Sequence, residues 1–132
     1  MFKSATSQTG AVGEEIASKF LERKGYTIVE MNYRKPWGEI DIIAEKDRIV
    51  HFVEVKAVSR KVTDVISREM DYRPEELVTE GKLKKVARTA VLYMENKRDE
   101  REYQIDVIGV LMDVEKRMAK CRFFEQVLED NL

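Results

Sequence analysis

A single cysteine, Cys121, is all the thiol chemistry in the chain. No internal disulfide can form, and the sequence reads as one from a reducing compartment. No apolar run is long enough to span a bilayer. Behind Met1-Phe2-Lys3-Ser4 there is no apolar h-region, so no secretory signal is expected there. Charge of one sign is missing too. The net charge is −1, so no overall field draws the protein to nucleic acid, and such binding must use a local patch. Internal repeats and low-complexity stretches are absent. What is present is 132 residues, 43% hydrophobic and rich in charge, enough for one domain with one real core. The expectation is a soluble cytoplasmic protein with no membrane attachment.

Periodicity predicts a helix over about Thr9–Lys24, with Val12, Ile16, Ala17, Phe20 and Leu21 on its apolar side and Gly25 as its stop. Tyr26–Tyr33 reads as a first strand, Pro36-Trp37-Gly38 as a turn, and Glu39–Glu45 and Arg48–Val58 as two further strands. Ser59–Val78 has no steady period and reads as a long loop, with or without a helical turn. Thr79 can cap a second helix running to Asn96. Tyr103–Met112 is a fourth strand, and Arg122–Leu128 is a fifth strand or a short terminal helix. The order αβββαβ plus a tail predicts an α/β fold with a mixed sheet flanked by helices.

Two of these strands carry acids in their middle, in Gly38-Glu39-Ile40-Asp41-Ile42-Ile43 and Phe52-Val53-Glu54-Val55-Lys56. A carboxylate in an apolar strand is costly unless something pairs with it. If Lys46-Asp47 is the two-residue loop, Glu45 pairs with Arg48, Asp41 lies opposite Phe52 and Glu39 opposite Glu54. Asp41, Glu39, Glu54 and Lys56 then share a face, with Asp41 and Glu54 diagonal neighbours about 7–8 Å apart. Like charges facing each other need an offset, and hard oxygen ligands suit Mg²⁺ or Mn²⁺. Lys56 adds a cation able to stabilise a developing phosphoryl charge. Either pair alone is an ordinary solvated strand face. The two together, in a register that makes them converge, point to a metal-dependent hydrolase.

Gly38-Glu39-Ile40-Asp41 followed after twelve residues by Glu54-Val55-Lys56 resembles the motif of the PD-(D/E)XK nuclease superfamily. More closely, the chain resembles the YraN-like family of predicted endonucleases, which are similar to Holliday junction resolvases. Thr9 to Glu14 with Ala17 and Gly25, Tyr26–Asn32, Lys82 and Ile105-Asp106-Val107-Ile108 extend the likeness over most of the chain. The resemblance implies one restriction-endonuclease-like nuclease domain over residues 1–132. It implies Asp41 and Glu54 as metal ligands, Glu14 as an additional acidic ligand, and Lys56 as the catalytic lysine. Glu39 would support the site, and Lys82 would contact phosphate or brace the site. The sequence departs from the family pattern at Val58 and Gln104, where arginines are usual, and in the longer loop after Lys56.

Residues 80–98 carry Lys82, Lys84, Lys85, Arg88, Lys97 and Arg98 against Glu80 and Glu95. Lys82, Lys85 and Arg88 can track a phosphate backbone or form a solvated face. Arg34 and Lys35 offer a second contact, and Trp37 either stacks on a base or packs at the core edge. His51 alternates away from Glu54 and reads as packed or surface. Asp106 and Cys121 read as structural. The resulting expectation is a Mg²⁺- or Mn²⁺-dependent endonuclease acting on DNA, branched or flapped DNA included. The alternative is an inactive nucleic-acid-binding module of the same fold. A third is a protein-interaction domain that binds neither metal nor nucleic acid. Dimerisation is left open.

Overall fold

The computed structural model describes residues 5–59, 73–113 and 115–128. The first helix, α1, spans Ala5–Arg23 and begins before the predicted Thr9. It ends as expected at Gly25, which takes the left-handed conformation (φ 93°). Tyr26 N donates to Leu21 O and Gly25 N to Glu22 O, both at 3.0 Å, so two otherwise orphaned carbonyls are satisfied. Ala17 and Leu21 are fully buried, whereas Val12, placed on the apolar side by periodicity, is half exposed.

Three antiparallel strands follow: β1 (Thr27–Lys35), β2 (Gly38–Lys46) and β3 (Ile49–Ser59). The β2–β3 loop is Asp47-Arg48, not Lys46-Asp47. Both residues have positive φ (51° and 67°), as a tight hairpin turn matched to strand twist requires. The pairs are Lys46↔Ile49, Glu45↔Val50 and Ile43↔Phe52, a two-residue displacement from the predicted register. An even displacement keeps each side chain on its face but changes its neighbour.

Part of the predicted Ser59–Val78 loop lies outside the described residues. Its end forms a 3-10 turn at Pro74–Leu77. The second helix, α2, is Glu80–Lys97. Thr79 caps it as predicted, accepting from Lys82 N at 3.1 Å. After it, β4 (Tyr103–Asp113) runs parallel to β3, and β5 (Met118–Phe124) pairs antiparallel with β4. The tail therefore holds a strand that starts before Arg122 and ends at Phe124, and the rest of the predicted Arg122–Leu128 element is neither strand nor helix. Strand order is β1-β2-β3-β4-β5.

The helices cover opposite faces. Ala17 and Leu21 of α1 pack on Ile42, Ala44, Val53, Val55, Ile108 and Val110. Val86, Ala90, Tyr93 and Met94 of α2 pack on Ile43, Val50, Phe52 and Ile105. Burial on both faces explains the unbroken apolar runs of β3 and β4. Burying a side chain such as Leu21 or Phe52 contributes about 1.5–3 kcal/mol. A mixed five-stranded sheet between helices is a restriction-endonuclease-like architecture.

Candidate metal centre

The site forms where strand alternation fails. Met31 and Tyr33 are two residues apart on β1, yet they pack in opposite cores, and so do Ile42 and Ile40 on β2. They are cross-strand partners, Met31↔Ile42 and Tyr33↔Ile40. Between them lie Asn32, in the left-handed conformation (φ 52°), and Asp41. Asparagine is among the few residues that tolerate this conformation. The predicted single face for Glu39, Asp41, Glu54 and Lys56 assumed unbroken alternation along β2, and the twist at Asn32–Asp41 breaks it.

The β2–β3 ladder also stops here, at Ile42↔Val53. Beyond it Val55 N donates to Asp41 Oδ2 at 2.8 Å, so the side chain takes over as acceptor where the strands part. Glu54 enters from β3 and Glu14 from α1, and each carboxyl hydrogen-bonds Asp41. Gly13 permits the approach of α1, since a Cβ there would overlap that of Ala57 on β3. Asn32 lies beside Glu14 and pulls its carboxyl down, and Arg34 Nη2 donates to Asn32 Oδ1 at 3.3 Å.

Burial, and then the neighbouring Asp41 carboxylate, push the Glu54 carboxyl up to about 8. Burial raises Asp41 as well, while the Val55 N–H, Glu54 and Lys82 pull it back. Glu14 is raised by burial and by Asp41. The pair Asp41–Glu54 therefore holds a proton at neutral pH. Asp41, with Glu54 and Glu14 each beside it, can offer oxygens to a hard divalent cation.

The cation that acts on Asp41 and Glu54 is Lys82, in the first turn of α2. Its Nζ lies 3.3 Å from Glu39 Oε1, and Arg34 Nη1 binds the other Glu39 oxygen. Lys56 follows Glu54 on the same strand but is exposed and forms no ion pair among the described residues. Lys85 and Arg88 are both exposed on α2. Trp37 is half exposed and lines a groove with Lys35, Leu92, Glu95 and Asn96.

A second group of possible ligands lies toward α1. Atoms of His51, Asp106 and Glu125 fall within 4.8 Å of one another. His51 Nδ1 lies 2.6 Å from Asp106 Oδ2, and Asp106 Oδ1 accepts from Gln104 Nε2 (2.8 Å) and Gln126 N (3.0 Å). Tyr26 OH donates to Glu125 Oε1 at 3.3 Å. Sequence reasoning set His51 and Asp106 aside singly. Their contact depends on the parallel β3–β4 register, which no local signal announces. Gln104, at a usual arginine position, was the available hint.

Fold and site together define a nuclease-like α/β scaffold with an acidic cluster at a sheet opening. The family model described as Uncharacterised protein family UPF0102 matches residues 13–110. A UPF0102 protein of Campylobacter hominis is 43% identical over 101 residues, 76% of this chain and 81% of that one. One from Campylobacter fetus is 40% identical over 118 residues, covering 89% and 91%. One from Fervidobacterium nodosum is 38% identical over 100 residues, covering 76% and 68%. The chain belongs to the UPF0102, or YraN-like, family.

Proposed function

We propose that this chain is a metal-dependent endonuclease, a single domain over residues 1–132 that hydrolyses phosphodiester bonds in DNA. The observation that supports it most is the meeting of Glu14, Asp41 and Glu54, from three different elements, where the β2–β3 ladder opens. Asp41 and Glu54, with Glu14, would hold Mg²⁺ or Mn²⁺. When bound, the metal supplies Lewis-acid activation of water and stabilises the leaving oxygen. The Val55 N–H fixes one Asp41 oxygen and so orients the other. Lys56 supports the phosphoryl charge electrostatically. Glu39 holds Arg34 and Lys82 at the rim, and Lys82, Lys85, Arg88 and Arg34 meet the phosphate backbone while Trp37 stacks on a base. No helix among the described residues is long and apolar enough to cross a membrane. The cytoplasm is the proposed location, as a monomer or homodimer.

A second reading, an inactive binding module of the same fold, has one observation in its favour: Lys56 stands exposed, without an ion pair among the described residues, while Lys82 faces the carboxylates. A cleavage screen separates the two. Single-stranded, duplex, flap and four-way-junction DNA, with RNA counterparts, are incubated with Mg²⁺ or Mn²⁺. The nuclease reading expects cleavage of at least one substrate, abolished in Asp41→Asn and Lys56→Ala. Binding without cleavage on every substrate selects the inactive module.

A further inference from the structure

Gly109 occupies the centre of a cross-strand row. Its partner on β3 is Lys56 and its partner on β5 is Arg122. Paired residues project to the same face, so two cations flank a position that has no side chain. Glu75, from the Pro74–Leu77 turn, lays its carboxylate into that gap. A Cβ on Gly109 would overlap Glu75 Oε2 and stand 2.9 Å from Glu75 N. The Glu75 side chain is only 7% exposed, and Arg122 Nη1 is 3.9 Å from its Oε1. Neither carboxylate oxygen has a hydrogen-bond partner among the described residues.

A buried carboxylate whose task is to anchor a turn accepts hydrogen bonds, because leaving acceptors unmet is costly. Glu75 accepts none from the described residues. Its charge suits the slot and its geometry does not. A phosphodiester brings two unbridged oxygens that a guanidinium can hold with paired N–H groups. The row is also displaced by two residues from Glu54↔Val107, about 6.6 Å at the rise of a strand. That matches the step between consecutive phosphates on a nucleic-acid strand.

We propose that Gly109 and Arg122, at the end of the row beyond Lys56, form a phosphate subsite, filled in the free protein by Glu75 as an internal stand-in. It takes the nucleic-acid phosphate next to the one at the carboxylate cluster, and Glu75 is displaced when that phosphate arrives. The ligand class rests on the nucleic-acid reading above, while the subsite itself does not depend on cleavage.

The test is a salt titration of binding to a short fluorescein-labelled DNA duplex in EDTA, so that metal and catalysis do not enter. Glu75→Gln should bind several-fold tighter, with a salt slope steeper by about 0.9. Arg122→Gln should bind more weakly with a shallower slope, and the double variant should behave like Arg122→Gln. If Glu75→Gln shifts melting temperature but neither affinity nor slope, the residue is an anchor and the proposal fails. It fails equally if the gain persists in the Arg122→Gln background, which would mark a general charge effect. Should Glu75→Gln not fold, an unchanged slope in Arg122→Gln alone overturns the subsite. Cleavage with Mg²⁺, scored separately, keeps the two ideas apart. No cleavage with the Glu75→Gln gain intact removes the nuclease and leaves the subsite; normal cleavage without that gain does the reverse.

Discussion

Two acids on this sheet, one fully and one partly buried, make an instructive pair. Asp106 sits deep in β4, fully buried, with a histidine nitrogen 2.6 Å from one oxygen, while the other accepts from a glutamine side chain and a backbone N–H. Asp41 sits where β2 parts from β3 and accepts one backbone hydrogen bond, with Glu54 and Glu14 as its other close neighbours. The first carboxylate is surrounded by hydrogen-bonding partners. The second is crowded with other carboxyls, which the Val55 N–H and the Lys82 charge offset in part. Burial alone does not mark a functional acid; burial with too few donors does.

The sharpest way to break the comparison is to remove each acid. Asp106→Ala leaves His51 and Gln104 without their acceptor inside the core, and should cost about 3–5 kcal/mol in urea unfolding. Asp41→Asn relieves repulsion at the opening and should leave metal-free stability unchanged or higher. Equal losses at both positions would erase the distinction. Next in size is Gly13→Ala, whose new methyl collides with Ala57. It should cost about 1–3 kcal/mol by overpacking and carry Glu14 away from Asp41.

The pH dependence has a definite sign. The folded protein holds the Glu54 proton up to about pH 8, against an ordinary value of 4.5. The folded state therefore binds protons more tightly than the unfolded chain. This contribution is fully present below about 4.5 and disappears as the pH rises through 8. Metal-free protein should lose stability over that interval, and Glu54→Gln should flatten the decline, as read by melting temperature. Asp41 and Glu14, raised in the same direction, add to the trend. The smallest expected effect lies on α2. Lys82→Ala with Lys85→Ala should lower the salt slope of duplex binding by about 0.9 for each phosphate no longer neutralised. An unchanged slope would place nucleic acid elsewhere.

Much of this was legible in the chain. Helical spacing with Gly25, Thr79 as a cap, and the acidic apolar strands located the main elements and the residues that meet at the opening. The hairpin register was not legible, because Asp47-Arg48 lacks the glycine that usually marks a positive-φ turn. The twist at Asn32 was hidden for a similar reason, since a lone asparagine in a strand does not declare its φ. Lys82 owes its place beside Asp41 and Glu54 to how α2 docks, and the His51–Asp106 contact to parallel pairing with a distant strand. Neither is encoded locally. Glu14 was drawn to the site by family likeness alone, and Gly13 supplies the physical reason it can reach.

The central claim is that the acids at the opening are a metal site. The most direct measurement is a Mn²⁺ titration followed by melting temperature and calorimetry, on wild type and Asp41→Asn at neutral pH. Wild type should gain stability by mass action, about 2.7 kcal/mol at a hundredfold excess over Kd, and release protons as Glu54 ionises, while Asp41→Asn shows neither. A wild type that neither gains stability nor exchanges heat at millimolar Mn²⁺, or an Asp41→Asn variant that responds like wild type, would contradict it.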